Sequence, residues 1–208
     1  MDLRKKNILI TAGPTWVAID DVRVLSNVAS GETGILLAKK LTRLGARVSL
    51  LLGPVGACCL DKKIRLINFR FYSELKNRLK LQLRSRRYDI IIHNAAVSDF
   101  SASRRKGKIS SGSAVSLRLR PLPKIAKDLK YLAPQAKLVI FKLEPAVSDK
   151  ILLRRAIAAG KNTGADIVVA NRISPYRAFI IGRAGKIIAA KSKAALAGNL
   201  VDFFKFNL

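Results

Sequence analysis

Two stretches decide the fold: Asn7-Ile8-Leu9-Ile10-Thr11-Ala12-Gly13, and beyond it Val22-Arg23-Val24-Leu25-Ser26-Asn27-Val28-Ala29-Ser30-Gly31-Glu32-Thr33-Gly34. The first is an apolar strand ending in glycine. The second is a loop of small polar residues that opens an amphipathic helix, Ile35-Leu36-Leu37-Ala38-Lys39-Lys40-Leu41. A helix start carries free backbone N–H groups and a partial positive charge, so it suits a phosphate. Ser26, Asn27 and Ser30 add side-chain donors there, while Gly13, Gly31 and Gly34 allow close backbone approach. These six are the candidate phosphate- and substrate-binding residues. Neither G-x-x-x-x-G-K-[ST] nor G-x-G-x-x-G occurs, so neither common phosphate motif explains the loop.

Outward from this unit, strand and helix patterns alternate. The long loop Gly13–Ser30 leads into a helix over about 31–44, closed by Gly45. Strands are expected at Arg47–Leu52, Ile64–Phe69 and Tyr88–Asn94, with a basic helix from Glu74 to about Arg86 capped by Ser73. A polar loop, Ser101–Ser113, precedes an alternating strand, Val115–Arg120. The helix Ile125–Leu132, the strand Lys137–Phe141, a Ser148-capped helix to about Ala159 and the strand Ala165–Asn171 follow. A hairpin turning at Gly182–Gly185 and a helix over about 192–204 close the chain. The expected fold is α/β, a single domain over 1–208. It is a doubly wound, mainly parallel Rossmann-like sheet with a C-terminal hairpin extension. Ligands then belong beyond the carboxyl ends of the strands, where Gly13–Ser30, Ala95–Lys108, Phe141–Glu144 and Asn171 converge.

Composition narrows the class. No apolar run approaches the ~18 residues of a membrane span, and no signal-peptide pattern opens the chain, so a cytoplasmic protein without membrane contact is expected. Cys58 and Cys59, adjacent and alone, read as buried thiols rather than a disulfide or metal framework. Forty Lys and Arg against thirteen Asp and Glu give a net charge of +27. That excess attracts polyanions and favours non-specific nucleic-acid affinity. Aromatics make up only 6% and do not interleave with the clusters Arg84–Arg87 and Arg104–Lys108, which argues against a base-stacking platform. No Ser/His/Asp set, cysteine nucleophile or metal cluster can be assembled, and metal ligands stay unassigned. His93, the single histidine, reads as a core or strand-end residue.

In order, these segments resemble the phosphopantothenate–cysteine ligase family, the ligase half of the coenzyme A biosynthesis flavoprotein, in its archaeal and bacterial form. Ile10-Thr11-Ala12-Gly13-Pro14-Thr15 with Ile19-Asp20-Asp21-Val22-Arg23 is similar to its ITAGxT…IDPVR, and Ser26–Gly34 to its SNxSSGxxG. Asn94–Phe100 resembles AAAVADW/Y, Lys108-Ile109 stands at KIKK, and Pro121–Ile125 resembles PTPDI. Phe141-Lys142-Leu143-Glu144 resembles the archaeal FKAE, and Asp166–Asn171 resembles DLIVAND. The resemblance covers nearly the whole chain.

It implies a reaction. CTP, or ATP in the eukaryotic branch, activates the carboxylate of 4′-phosphopantothenate as an acyl-nucleotidylate, and the amine of cysteine displaces the nucleoside monophosphate. Lys108 would hold the triphosphate and Asp99 the nucleoside. Ala95 and Ala96 would offer backbone to the base, Phe141 would wall the pocket, and Pro123 and Ile125 would border it. Arg155 and Lys161 would contact phosphate, and Asn27 would bind the substrate amide or the acyl intermediate. Asn27 and Lys108 are thus the catalytic candidates. Mg²⁺ is implied, as are a homodimer, no flavin and a separate phosphopantothenoylcysteine decarboxylase, since the flavin domain often fused upstream is not in this sequence. Several positions depart from the pattern: Trp16, Glu32, Ser110, Ser111, Lys124 and Arg172, most of them charge changes. Lys142 and Glu144 also read as a structural pair. The alternatives are a catalytically weakened relative that binds nucleic acid or another polyanion, and an NAD(P) oxidoreductase, which the missing glycine fingerprint disfavours.

Overall fold

The computed structural model describes residues 2–56, 59–112 and 114–207. Its centre is an eight-stranded sheet. Strands β1 (Asn7–Ala12), β4 (Arg47–Leu52), β5 (Arg65–Asn68), β6 (Ile90–His93), β9 (Lys137–Glu144) and β10 (Ile167–Arg172) are parallel. The antiparallel β11 (Arg177–Gly182) and β12 (Ile187–Ala190) complete one edge. The spatial order is β12-β11-β10-β9-β6-β1-β4-β5. Winding therefore proceeds outward in both directions from β1 and β6, the arrangement of a doubly wound sheet.

Alternation along the buried strands supplies both faces. Ile8, Ile10 and Ala12 of β1 join the core beneath helix α1 (Glu32–Arg43) and helix α5 (Lys193–Asn207). Leu9 joins the opposite core, beneath α2 (Tyr72–Ser85), α3 (Ile125–Leu132) and α4 (Asp149–Thr163). Both faces are thus covered, which is why these strands are apolar throughout. Ser148 caps α4 as expected, its Oγ accepting from Ile151 N–H at 3.4 Å.

Several expectations need correction. The loop from Gly13 to Ser30 contains a small hairpin, β2 (Trp16–Ala18) with β3 (Val24–Ser26). Its three-residue strands are too short to show an alternating pattern. The proposed strand Val115–Arg120 shrinks to β8 (Leu119–Pro121), because its partner β7 (Phe100–Ala102) offers only three residues to pair. Ser73 lies inside α2 rather than capping it. Phe71 holds the N-cap position, and Glu74 reaches back to accept from Arg70 N–H at 2.8 Å. Cys59 is exposed, not buried, and Cys58 and Ser113 lie outside the described residues. Among the described residues no helix is long and apolar enough to cross a membrane.

Gly34 sets the height of α1 above the sheet. A Cβ there would stand 2.4 Å from Cβ of Ala12 and 3.1 Å from Oδ1 of Asn94. The glycine is thus used for helix–strand packing, not for approach to a ligand, and that corrects its assignment as a substrate contact. Gly34→Ala forces α1 off β1 and should cost about 1–3 kcal/mol. For a domain of this size, thermal unfolding should then fall by about 2–4 °C per kcal/mol, and an unchanged melting curve would refute the contact.

Candidate active site

The carboxyl ends of β1 and β6 form the crevice where the winding direction reverses. Their loops are stitched together by backbone bonds. Ala96 N–H donates to the Gly13 carbonyl at 2.9 Å, and Thr15 N–H donates to the Ala96 carbonyl at 3.2 Å. Ala95 N–H donates to Thr11 Oγ1 at 3.2 Å, which in turn lies 2.9 Å from His93 Nδ1. Burial pushes His93 down to about 4, so it is neutral at pH 7. The amides of Ala95 and Ala96 are thus spent within the fold, and neither is left to contact a base.

Asn27 reaches across the crevice. Its Nδ2 donates to the Ala96 carbonyl at 3.0 Å, with Val97 O at 3.4 Å. The side chain is exposed and ties the hairpin to the β6 loop. Ser26 Oγ donates to the Asn27 carbonyl at 3.1 Å, and Ser30 Oγ accepts from Glu32 N–H at 3.4 Å. Gly31, at φ 70°, opens α1, and Gly13 turns the chain at φ 78°. Both φ values favour glycine. Glu32 places a carboxylate in the first turn, where it would repel a phosphate, but Lys193 at the start of α5 sits 2.5 Å away and neutralises it. Tyr176, at the β10–β11 turn, keeps a buried hydroxyl without a hydrogen-bond partner among the described residues. Burial first, and Glu32 second, push it up to about 12, so it stays protonated as a donor.

The acidic run before β3 holds the Lys108 loop. Asp20 is buried and accepts from the backbone N–H groups of Ile109 (3.0 Å), Val22 (2.8 Å) and Arg23 (2.6 Å), and from the Arg23 guanidinium at 2.8 Å. Arg23 also donates to the Ile109 carbonyl at 3.0 Å. Asp21 accepts from Arg104 at 2.6 Å and Gly107 N–H at 2.8 Å. Lys108 lies between Gly107 and Ile109, so this clamp fixes its backbone while its side chain stays exposed. In the sequence Asp20, Asp21 and Arg23 stand within a motif that assigns them no role. Their signal was a carboxylate pair followed by an arginine in an otherwise basic chain.

Other candidates fare unevenly. Asp99 is exposed and ion-paired with Lys124. Leu122 N–H donates to its backbone carbonyl at 2.8 Å. The Pro123 carbonyl accepts from Tyr72 at 2.7 Å, which anchors the Pro turn. Ile125 is 4% exposed within the core, so its side chain faces away from a ligand. Phe141 is half-buried at the sheet's carboxyl edge, packed against the core. Arg155 is engaged by Glu144 at 2.6 Å, opposite Lys142 at 3.0 Å. Desolvation would raise the buried Glu144, but hydrogen bonds and charge from both cations hold it below its usual value. Glu144 with its two cations is therefore the structural group the sequence offered as one reading, and Arg155 is not a free phosphate ligand. Lys161 is not brought to this edge. It stands in the last turn of α4, twelve residues and about 18 Å along the axis from the helix start beside the crevice. A helix pattern alone does not say which end faces the site.

The fold is a doubly wound α/β domain with a crevice at its switch point. The chain belongs to the family described as the DNA/pantothenate metabolism flavoprotein C-terminal domain, whose model matches residues 3–203. It is 31% identical over 207 residues to the coenzyme A biosynthesis bifunctional protein CoaBC of Thermococcus kodakarensis, covering 96% of this chain and 51% of that protein. The chain thus spans about half the length of the curated relatives it matches. The DNA/pantothenate metabolism flavoprotein from Streptococcus pneumoniae shares the fold at TM-score 0.87 and 23% identity, with 96% of this chain and 98% of that chain covered. A Cab2 variant solved with phosphopantothenate-cysteine shares it at TM-score 0.73 and 20% identity, with 97% and 87% covered.

Three backbone donors and Arg23 hold Asp20 ionised, down from 3.8 to about 2. Its folded value lies below its unfolded one, so its contribution is full above about pH 4 and is lost as pH falls towards 2. Asp20→Asn should remove that acid limb of the stability profile. It should also expose Arg104–Lys108 to trypsin at neutral pH, and unchanged cleavage there would show that the clamp does not hold the loop.

Proposed function

We propose that this chain carries the ligase step of coenzyme A biosynthesis, joining 4′-phosphopantothenate to cysteine with CTP as the activating nucleotide. One observation carries the reading. Asn27, directly after the β2–β3 hairpin, bonds the β6 loop at the Ala96 carbonyl, and the loop holding Lys108 is clamped to Asp20 and Asp21 in the turn of that same hairpin. The names of the relatives, and the ligand in the Cab2 structure, support it.

In the first step a carboxylate oxygen of phosphopantothenate bonds to the α-phosphorus of CTP. The bond from that phosphorus to the bridging oxygen breaks, and pyrophosphate leaves. Two anions must meet, so cationic charge at the developing polyanion lowers the barrier. Lys108 supplies it from a loop whose backbone is already fixed. The start of α1 adds N–H donors, and Lys193 cancels the opposing charge of Glu32. In the second step the cysteine nitrogen bonds to the acyl carbon, CMP leaves, and the amine gives up a proton. Asn27, held against the Ala96 carbonyl, keeps its Oδ1 to receive an amide or amine hydrogen. Mg²⁺ is proposed as a companion of the nucleotide's own phosphates, which is its usual mode. The described residues hold no group of three or more His, Cys, Asp or Glu side chains that would cage it. A homodimer in the cytoplasm and no flavin in this domain complete the proposal. The polyanion-binding relative remains the competing reading, carried by the net charge of +27.

The test is pyrophosphate release with phosphopantothenate and cysteine, CTP against ATP. Release should require phosphopantothenate and favour CTP, and Lys108→Gln should lower kcat by about 10²–10³. A folded protein that releases none with either nucleotide refutes the proposal. Lys193→Gln should raise the KM for the nucleotide several-fold by unmasking Glu32, and adding Glu32→Gln should restore it. Failure of that rescue would show that the pair is irrelevant to the ligand.

A further inference from the structure

A second charged recess lies at the opposite edge of the sheet, at the amino ends of β1, β4 and β5. It is a cleft of about 430 Å³, within the range of small-molecule sites. Arg47, Lys63, Arg65 and Arg86 line it. All four are exposed, and no ion pair forms to any of them among the described residues. Beneath them lie the buried apolar Ala46 and Val48 and a set of buried polar side chains. The Tyr88 hydroxyl lies 3.2 Å from Ser49 Oγ and 3.0 Å from Gln82 Oε1. Thr42, 8% exposed, also lines the cleft, and its Oγ1 has no hydrogen-bond partner among the described residues. A buried hydroxyl left over by the fold's own bonding is rare enough to need a reason.

Ordinary helix capping does not account for this group. Helices α1 and α2 end here, each with about half a negative charge at its carboxyl end. Together they amount to about one charge, against four cations. Asp89, next to Tyr88 in the chain, is already satisfied by Lys6 at 3.2 Å and Asn7 N–H at 2.8 Å. The cleft therefore carries uncompensated positive charge above buried hydroxyls.

We propose that this cleft is a binding site for a multiply charged phosphate group, and that it takes the polyphosphate of a small ligand. Planar guanidinium groups converging from two strand starts and a helix end suit several phosphate oxygens at once. Tyr88 is 3% exposed, so no aromatic face is available for base stacking, which disfavours a nucleic acid strand as the occupant. The site is separate from the crevice and does not depend on the ligase reading.

Inorganic tripolyphosphate is the probe, titrated calorimetrically at physiological salt with a chelator present. The background is Lys108→Gln, which weakens binding at the other edge. Arg65→Gln with Arg86→Gln should weaken the dissociation constant about tenfold or more. A control pair of equal charge loss, Arg154→Gln with Lys191→Gln, should leave it unchanged. Melting curves establish that both pairs fold. Equal weakening by both pairs would mean diffuse attraction only and overturns the site, as does the absence of saturable binding. A short single-stranded RNA is titrated in parallel. If the cleft pair abolishes RNA binding and leaves tripolyphosphate untouched, the occupant is nucleic acid and the proposal falls.

Discussion

Strand β1 is bonded on both sides, to β4 and to β6, yet the chain leaves those two neighbours towards opposite edges of the sheet. No connection can then cover the carboxyl end of β1. The crevice there is a consequence of topology. Gly34 lets α1 descend onto Ala12, which brings the helix start level with its rim. The backbone bonds of Gly13, Thr15 and Ala96 close the floor. A crevice with its floor hydrogen-bonded is rigid before any ligand arrives, and preorganisation of that kind is what electrostatic catalysis needs.

Charge is the second constraint. A chain at +27 cannot rely on generic attraction to place a phosphate, because attraction is everywhere. Its thirteen acidic residues are correspondingly informative. Asp20 and Asp21 anchor the Lys108 loop, Glu32 meets Lys193, Asp99 meets Lys124, and Glu144 holds Lys142 and Arg155. Each carboxylate fixes particular cations and so determines which others stay available. Lys108, on the loop that Asp20 and Asp21 hold, is one of those without an ion pair among the described residues. Arg47, Lys63, Arg65 and Arg86 are others, at the far edge. Function in so basic a chain is read from where the acids are spent.

The departures at Glu32 and Lys124 take on a physical sense in this light. Each change of sign found a partner: Lys193 for the first, Asp99 for the second. Arg172 likewise bonds the Val147 carbonyl at 2.9 Å and the Pro175 carbonyl at 3.1 Å. These substitutions are absorbed locally, which leaves the fold intact and changes the electrostatics of the rim. Nothing in the structure explains Ser110 and Ser111.

The parallel sheet, its two covered faces, the hairpin at 182–185 and the convergence of four loops were legible in the sequence, because strand and helix periodicity and chain order are local properties. Long buried strands such as Ile8–Ala12 announce themselves by composition. The hairpin of β2 and β3 did not, since three-residue strands carry no period. Tertiary structure alone decided that Gly34 packs rather than binds, that the amides of Ala95 and Ala96 are already spent, that Arg155 is held by Glu144, and that Lys161 stands at the wrong end of α4. Each of these depends on which group lies across a gap of a few ångströms from a residue distant in the chain. A hydrogen bond or a close approach is satisfied in space, and a sequence records only the donors, the acceptors and their order.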